Sequence, residues 1–134
     1  MSMTGQAGSS DRVFKTAWFS KAARKAHIAD DELCSAIQQV MLGQADDLGG
    51  GVYKKRLGKN MYRSIVLAKG RQLWVYEYLF AKKDRANIGD DELEGFRELA
   101  KVYTQLSAQQ VDRLLREQDW FEICNQGECH DDEA

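Results

Sequence analysis

Three runs rich in β-branched and aromatic residues follow one another almost without pause: Val52–Leu57 (VYKKRL), Met61–Ala68 (MYRSIVLA) and Leu73–Phe80 (LWVYEYLF). Such residues suit a pleated, half-buried surface. The runs are joined only by Gly58-Lys59-Asn60 and by a short link containing Lys69-Gly70-Arg71. Links of that length cannot carry a crossover, so the segment is predicted to be an antiparallel meander, and the rest of the chain must pack around it.

The flanks read mainly as helix. Arg12–Thr16 (RVFKT) is a first strand, running into Ala17–His27, where Trp18, Ala22 and Ala26 fall at helical spacing and Lys21, Arg24 and Lys25 face water. In a second helix Asp30 is the expected cap, Asp31 and Glu32 suit the positive end, and Leu33, Ile37, Val40 and Met41 form the apolar stripe. Gly43 ends it, Leu48–Gly51 (LGGG) breaks regular structure before the sheet, and Gly49–Gly51 is read as a flexible connector. A third helix starts near Asp90 and presents Leu93, Phe96, Leu99, Ala100 and Tyr103. Ser107 with Gln110 is a capping-box pair opening a fourth, through Gln118. The expectation is an α+β domain in the order β-α-α-β-β-β-α(-α), with the helices on one face of the sheet.

A length of 134 residues allows one compact domain. Residues 1–11 read as a disordered leader, 12–118 as the domain, and 119–134 as an acidic flexible tail without a basic residue. No apolar run approaches the roughly 18 residues of a membrane span and no secretory leader opens the chain, so a cytoplasmic protein without membrane contact is expected. Cys34, Cys124 and Cys129 are read as free thiols, because their number is odd and two lie in the polar tail. Zinc binding by Cys124, Cys129 and His130 lacks a fourth ligand, so no metal or cofactor is expected.

The net charge of −2 conceals a segregation. Between Val52 and Arg85 stand Lys54, Lys55, Arg56, Lys59, Arg63, Lys69, Arg71, Lys82, Lys83 and Arg85, opposed only by Glu77 and Asp84, a block suited to a polyanion. Strand alternation puts Lys54 and Arg56 on one face and Tyr53, Lys55 and Leu57 on the other. Arg63, close to the hairpin bend, brings a third cation, and Lys82-Lys83 close the last strand, along which Trp74, Tyr76, Tyr78 and Phe80 alternate. The plainer reading is that strand lysines are solvated and discourage edge pairing, and that the aromatics are core. His27 and His130 lie outside this region. The chain has no Ser-His-Asp, Cys-His, paired-carboxylate or phosphate-loop pattern, leaving Lys, Arg and Tyr to carry any reaction.

Arg12–Phe19 (RVFKTAWF), Leu48–Leu57 (LGGGVYKKRL), Tyr62-Arg63 and Phe80–Leu93 (FAKKDRANIGDDEL) together resemble the RelE/HigB family of bacterial toxin–antitoxin ribonucleases, over Arg12 to Tyr103. The resemblance implies helices packed on a twisted, mostly antiparallel sheet. It also implies metal-independent cleavage of messenger RNA, usually on the translating ribosome, and neutralisation by a cognate antitoxin, for which a small helix-turn-helix or acidic protein is the expected kind. By position, Lys54, Arg56, Arg63, Lys82 and Lys83 match the family's catalytic cations, and Lys55, Lys59, Tyr62, Tyr76, Tyr78 and Arg85 are assigned to RNA contact. The link before Tyr62-Arg63 is shorter than in some relatives, and the acidic tail has no counterpart. In the implied mechanism the RNA 2′-hydroxyl attacks its own phosphate, with Lys54 as base, Arg56 and Arg63 as phosphate clamps, and Lys82 or Lys83 as acid or further clamp. The rivals are a ParE-like gyrase inhibitor, a non-catalytic RNA-binding or regulatory module, and a fold relic that only binds an antitoxin.

Overall fold

The computed structural model describes residues 11–70 and 72–124. Strands β1 (Arg12–Thr16), β2 (Asp46–Gly49), β3 (Val52–Leu57), β4 (Tyr62–Lys69), β5 (Leu73–Ala81) and β6 (Trp120–Ile123) form one sheet in the order β2-β3-β4-β5-β1-β6. The helices are α1 (Ala17–Lys25), α2 (Asp30–Met41), α3 (Asp90–Thr104) and α4 (Ala108–Arg116). The meander is present as predicted: β3 pairs antiparallel with β4, and β4 with β5. Only β1 and β5 run parallel, because the α1–α2 excursion carries the chain away from β1 before the meander brings it back.

The helices do not share one face. Phe19 and Ala23 of α1 and Leu33, Ile37 and Val40 of α2 bury against Val13, Val66, Trp74 and Tyr76. Ala100 and Tyr103 of α3 and Val111 of α4 bury against Phe14, Val52, Ile65, Leu67 and Val75. Both faces of β4 are therefore covered, and Ser64–Ala68 is a continuous buried run, not an alternating one. Each fully buried Val, Leu or Ile there contributes about 1.5–3 kcal/mol. In α1 the buried stripe is Phe19 and Ala23, one residue round from the expected one, and this turns Trp18 outward with 52% of its surface exposed. The cap of α2 is Ala29, while Asp30, already helical, pairs with Lys15 at 2.7 Å. The capping box of α4 forms as predicted, Ser107 with Gln110.

Gly49–Gly51 closes a hairpin and is not a flexible connector. β2 pairs with β3, and an Arg97 guanidinium nitrogen donates to the Leu48 carbonyl. Gly51 has φ +84°, and a Cβ there would lie 2.9 Å from the Ala68 carbonyl oxygen. Gly51→Ala is accordingly expected to cost about 2–3 kcal/mol through the left-handed backbone and the clash with a backbone atom that cannot move aside. Urea unfolding measures this, and an unchanged midpoint contradicts it.

The expected flexible tail also requires correction at its start. Residues 120–123 form β6 against β1, Trp120 is buried beside Phe14 and Tyr103, and Arg12 donates to Glu122 through Nε at 2.9 Å and Nη2 at 2.8 Å. Just beyond β6, Cys124 is disulfide-bonded to Cys34 of α2, with Cα atoms 5.5 Å apart, so these two are not free thiols. The sequence pattern hid this because the partner lies 90 positions away. Residues 1–10 and 125–134, including Cys129 and His130, lie outside the described residues.

One irregularity in β5 decides where its aromatics point. Ile65 pairs with Tyr78 and Val66 with Tyr76, leaving Glu77 as an extra, bulged residue. The bulge splits the expected Trp74-Tyr76-Tyr78-Phe80 row: Trp74 and Tyr76 bury on the α1–α2 side, Tyr78 and Phe80 pack on the α3 side. Glu77 accepts a hydrogen bond from the Tyr103 hydroxyl at 2.7 Å, and burial pushes its carboxyl above the ordinary value of 4.5 despite that bond. With a folded value above the unfolded one, this group's stabilising contribution is complete below about pH 4.5 and is lost as pH rises through the folded value. Glu77→Gln does not titrate and still accepts from Tyr103. Its urea midpoint relative to wild type is expected to rise between about pH 4 and about pH 7. A pH-independent difference contradicts this.

Candidate functional site

Cross-strand partners in the meander share a face. Arg56 of β3 is opposite Arg63 of β4, which is opposite Phe80 of β5; in the next row Lys54 is opposite Ile65, itself opposite Tyr78. Lys54, Arg56 and Arg63 therefore occupy the same face, where the aliphatic rows packed under α3 give way to cations near the β3–β4 turn. These are the three side chains whose convergence the sequence reading requires.

Among the described residues their charge is left almost uncompensated. Arg63 Nη1 donates to the Asn60 carbonyl at 3.1 Å, Asn60 Oδ1 at 3.2 Å and the Tyr62 carbonyl at 3.2 Å, all neutral acceptors. Lys54 Nζ donates to Asn87 Oδ1 at 3.2 Å and has Asp46 at 3.8 Å. Arg56 is exposed and has no ion pair or side-chain hydrogen bond among the described residues. Like charges directly opposite on neighbouring strands cost roughly 0.2–1 kcal/mol. An anion seated between them turns that repulsion into attraction.

The loop after β5 borders the cluster. Lys82 N donates to the Met61 carbonyl at 2.9 Å, which extends the β4–β5 pairing to Lys82 at the end of Arg63's strand. Lys83 instead lines a groove against α1, apart from the pair expected to act with it. Arg85 lies 5.6 Å over the Phe80 ring and pairs with Glu92, which raises the Arg85 pKa and, together with the Gly89 backbone N–H, lowers that of Glu92. Arg85 Nε also donates to the Asn87 carbonyl at 3.0 Å. Asn87 and Asn60, which hold Lys54 and Arg63, were not singled out in the sequence, because neutral side chains in turns carry no charge signal.

Two assigned RNA contacts are displaced by the fold. Tyr76 is fully buried and its hydroxyl donates to the Leu33 carbonyl at 2.8 Å, with burial pushing its pKa up, so RNA cannot reach it. Lys55 faces the α2 side, where Nζ donates to the Gln44 carbonyl at 3.0 Å. Burial, with Arg56 adding to it, lowers the Lys55 pKa. Tyr62 packs against the same α1–α2 core, away from the cations, though it also borders the α1 groove. Lys59 is exposed in the hairpin turn at φ 55°, and Tyr78 stacks on Trp18 with ring centroids 5.1 Å apart. Among the described residues no three His, Cys, Asp or Glu side chains are grouped to hold a metal ion, and no helix is long and apolar enough to cross a membrane.

Residues 11–123 match the protein family described as the RelE toxin of the RelE / RelB toxin-antitoxin system. No curated protein and no solved structure matches the chain.

Proposed function

From the premise that the chain belongs to the RelE toxin family, we propose that it is a metal-independent endoribonuclease that cleaves messenger RNA, on the ribosome, in the cytoplasm. Its cognate antitoxin holds it in check. The observation that carries this reading is the Arg56–Arg63 pair, two arginines opposite each other on adjacent strands with Lys54 one row away and, among the described residues, a single carboxylate paired with the three, Asp46 at 3.8 Å from that lysine. A packed sheet gains nothing from such an arrangement, whereas a phosphorane carrying extra negative charge gains a great deal.

In this mechanism Arg56 and Arg63 hold the non-bridging phosphate oxygens and Lys54 takes the proton from the 2′-hydroxyl. That oxygen attacks phosphorus, the bond to the 5′-oxygen breaks, and Lys82 supplies the proton to the leaving oxygen. The products are a 2′,3′-cyclic phosphate and a 5′-hydroxyl, and DNA is spared because it lacks the nucleophile. Lys83, on the groove side, serves as an RNA contact and not as the acid.

Induced expression of the wild type and of Lys54→Ala/Arg63→Ala tests the proposal. The wild type is expected to arrest growth with loss of messenger RNA and appearance of cyclic-phosphate ends, and the variant to do neither. Equal arrest by both, with DNA-damage signalling and intact messenger RNA, supports a gyrase-directed toxin instead.

A further inference from the structure

A second basic, aromatic feature borders Phe80, the cross-strand partner of Arg63. Where β1 ends, α1 swings past the free end of β5 and leaves a groove of about 650 Å³. Trp18, Lys21 and Lys25 stand three and four residues apart on the groove side of α1, with Tyr78, Lys83 and Arg85 across from them. The Trp18 ring is stacked on Tyr78 at 22° between planes, yet half of Trp18 remains exposed. Lys21, Lys25 and Lys83 make no ion pair among the described residues, and Asp84 is the one acidic residue lining the groove.

The groove is joined to the cluster through side chains already placed. Asn87 accepts from Lys54 through its side chain and from Arg85 through its carbonyl, and Arg85 covers Phe80, the cross-strand partner of Arg63. A strand of RNA leaving the phosphate held by Arg56 and Arg63 thus meets Arg85 and then an open indole flanked by three lysines. A flat aromatic surface beside unpaired cations is the pairing that single-stranded nucleic acid uses, bases on rings and phosphates on ammonium groups.

We propose that this groove is a subsite for the single-stranded RNA flanking the scissile linkage, with a base stacked on Trp18 and phosphates held by Lys21, Lys25 and Lys83. The proposal deepens the ribonuclease reading and rests on it. It assigns to α1 a role in substrate length dependence that the catalytic cations do not require.

Fluorescence anisotropy with labelled 2′-O-methyl RNA, which lacks the nucleophile, tests it on the full chain. Oligonucleotides of three and of eight nucleotides are compared for the wild type, Trp18→Ala and Lys21→Glu/Lys25→Glu, all changes at exposed positions. For the octamer, Trp18→Ala is expected to weaken binding by about tenfold, and the double charge reversal to weaken it at least as much and to flatten its salt dependence. Trimer binding stays unchanged. Octamer affinities within about twofold of wild type for both variants overturn the subsite. So does loss of binding to poly-glutamate with RNA binding intact, which makes the groove a site for an acidic protein. The underlying reading fails separately: groove-dependent octamer binding by a wild type that leaves unmodified RNA uncut removes the nuclease and leaves the subsite.

Discussion

Replacing Lys54 and Arg63 together with alanine is expected to slow RNA cleavage by at least about a hundredfold while the protein stays folded. Loss of one preorganised charge donor at a developing oxyanion typically costs about 10²–10³ in rate, and loss of a general base about 10²–10⁴. In the proposed mechanism the two act on one phosphate, so their effects combine less than multiplicatively, and about a hundredfold is the floor. Folding is spared because neither side chain belongs to either buried cluster, and removing them relieves repulsion with Arg56. Lys54→Arg separates the roles of that residue, since it keeps the charge and loses the base; it is expected to retain RNA binding and lose most of the rate. Single-turnover cleavage of an end-labelled RNA gives these values. A loss of less than about tenfold in the double variant takes the cluster out of the chemistry.

The second large effect is on stability. Cys34→Ser is expected to lower the unfolding free energy by about 2–4 kcal/mol in the absence of reductant, because the bond it removes closes a long loop and restricts the unfolded chain. The bond joins positions 90 residues apart and ties the end of β6 to α2. Dithiothreitol should bring the wild type down to the variant and leave the variant where it was. Disulfides are uncommon in reducing compartments, and in such a compartment β6 is still held by its pairing to β1 and by the buried Trp120. Identical denaturant midpoints for wild type and Cys34→Ser without reductant contradict the bond.

The meander and the four helices were legible because their signals are local: β-rich runs with short links, apolar residues at helical spacing, and the Ser107–Gln110 box. That Lys54, Arg56 and Arg63 share one face was legible for the same reason, since the parity of a strand and the length of a hairpin fix which side chains do so. What could not be read depends on distant partners. Four-residue strands such as β2 and β6 have little pattern of their own, and β6 takes its identity from β1, more than a hundred residues away. The bulge at Glu77 leaves no mark on alternation, yet it sends Tyr76 into the core and Tyr78 toward α3. Tyr76 was assigned to RNA contact and its full burial rules that out, whereas Lys55 lies on the face that strand alternation already gave it, away from Lys54 and Arg56. Trp18 looked like core at helical spacing, and Phe19, the neighbouring residue, has that place.

The most direct test is the chemistry of the cut itself. Purified protein is incubated, with translating ribosomes, with a messenger RNA bearing a single 2′-deoxy nucleotide at its mapped cleavage position, beside the all-ribose control. The control is expected to be cut to a 2′,3′-cyclic phosphate and a 5′-hydroxyl, and the deoxy position to stay uncut. Equal cleavage of both RNAs, or a 3′-hydroxyl end on the product, contradicts a site in which Lys54, Arg56 and Arg63 drive the 2′-oxygen onto its own phosphate.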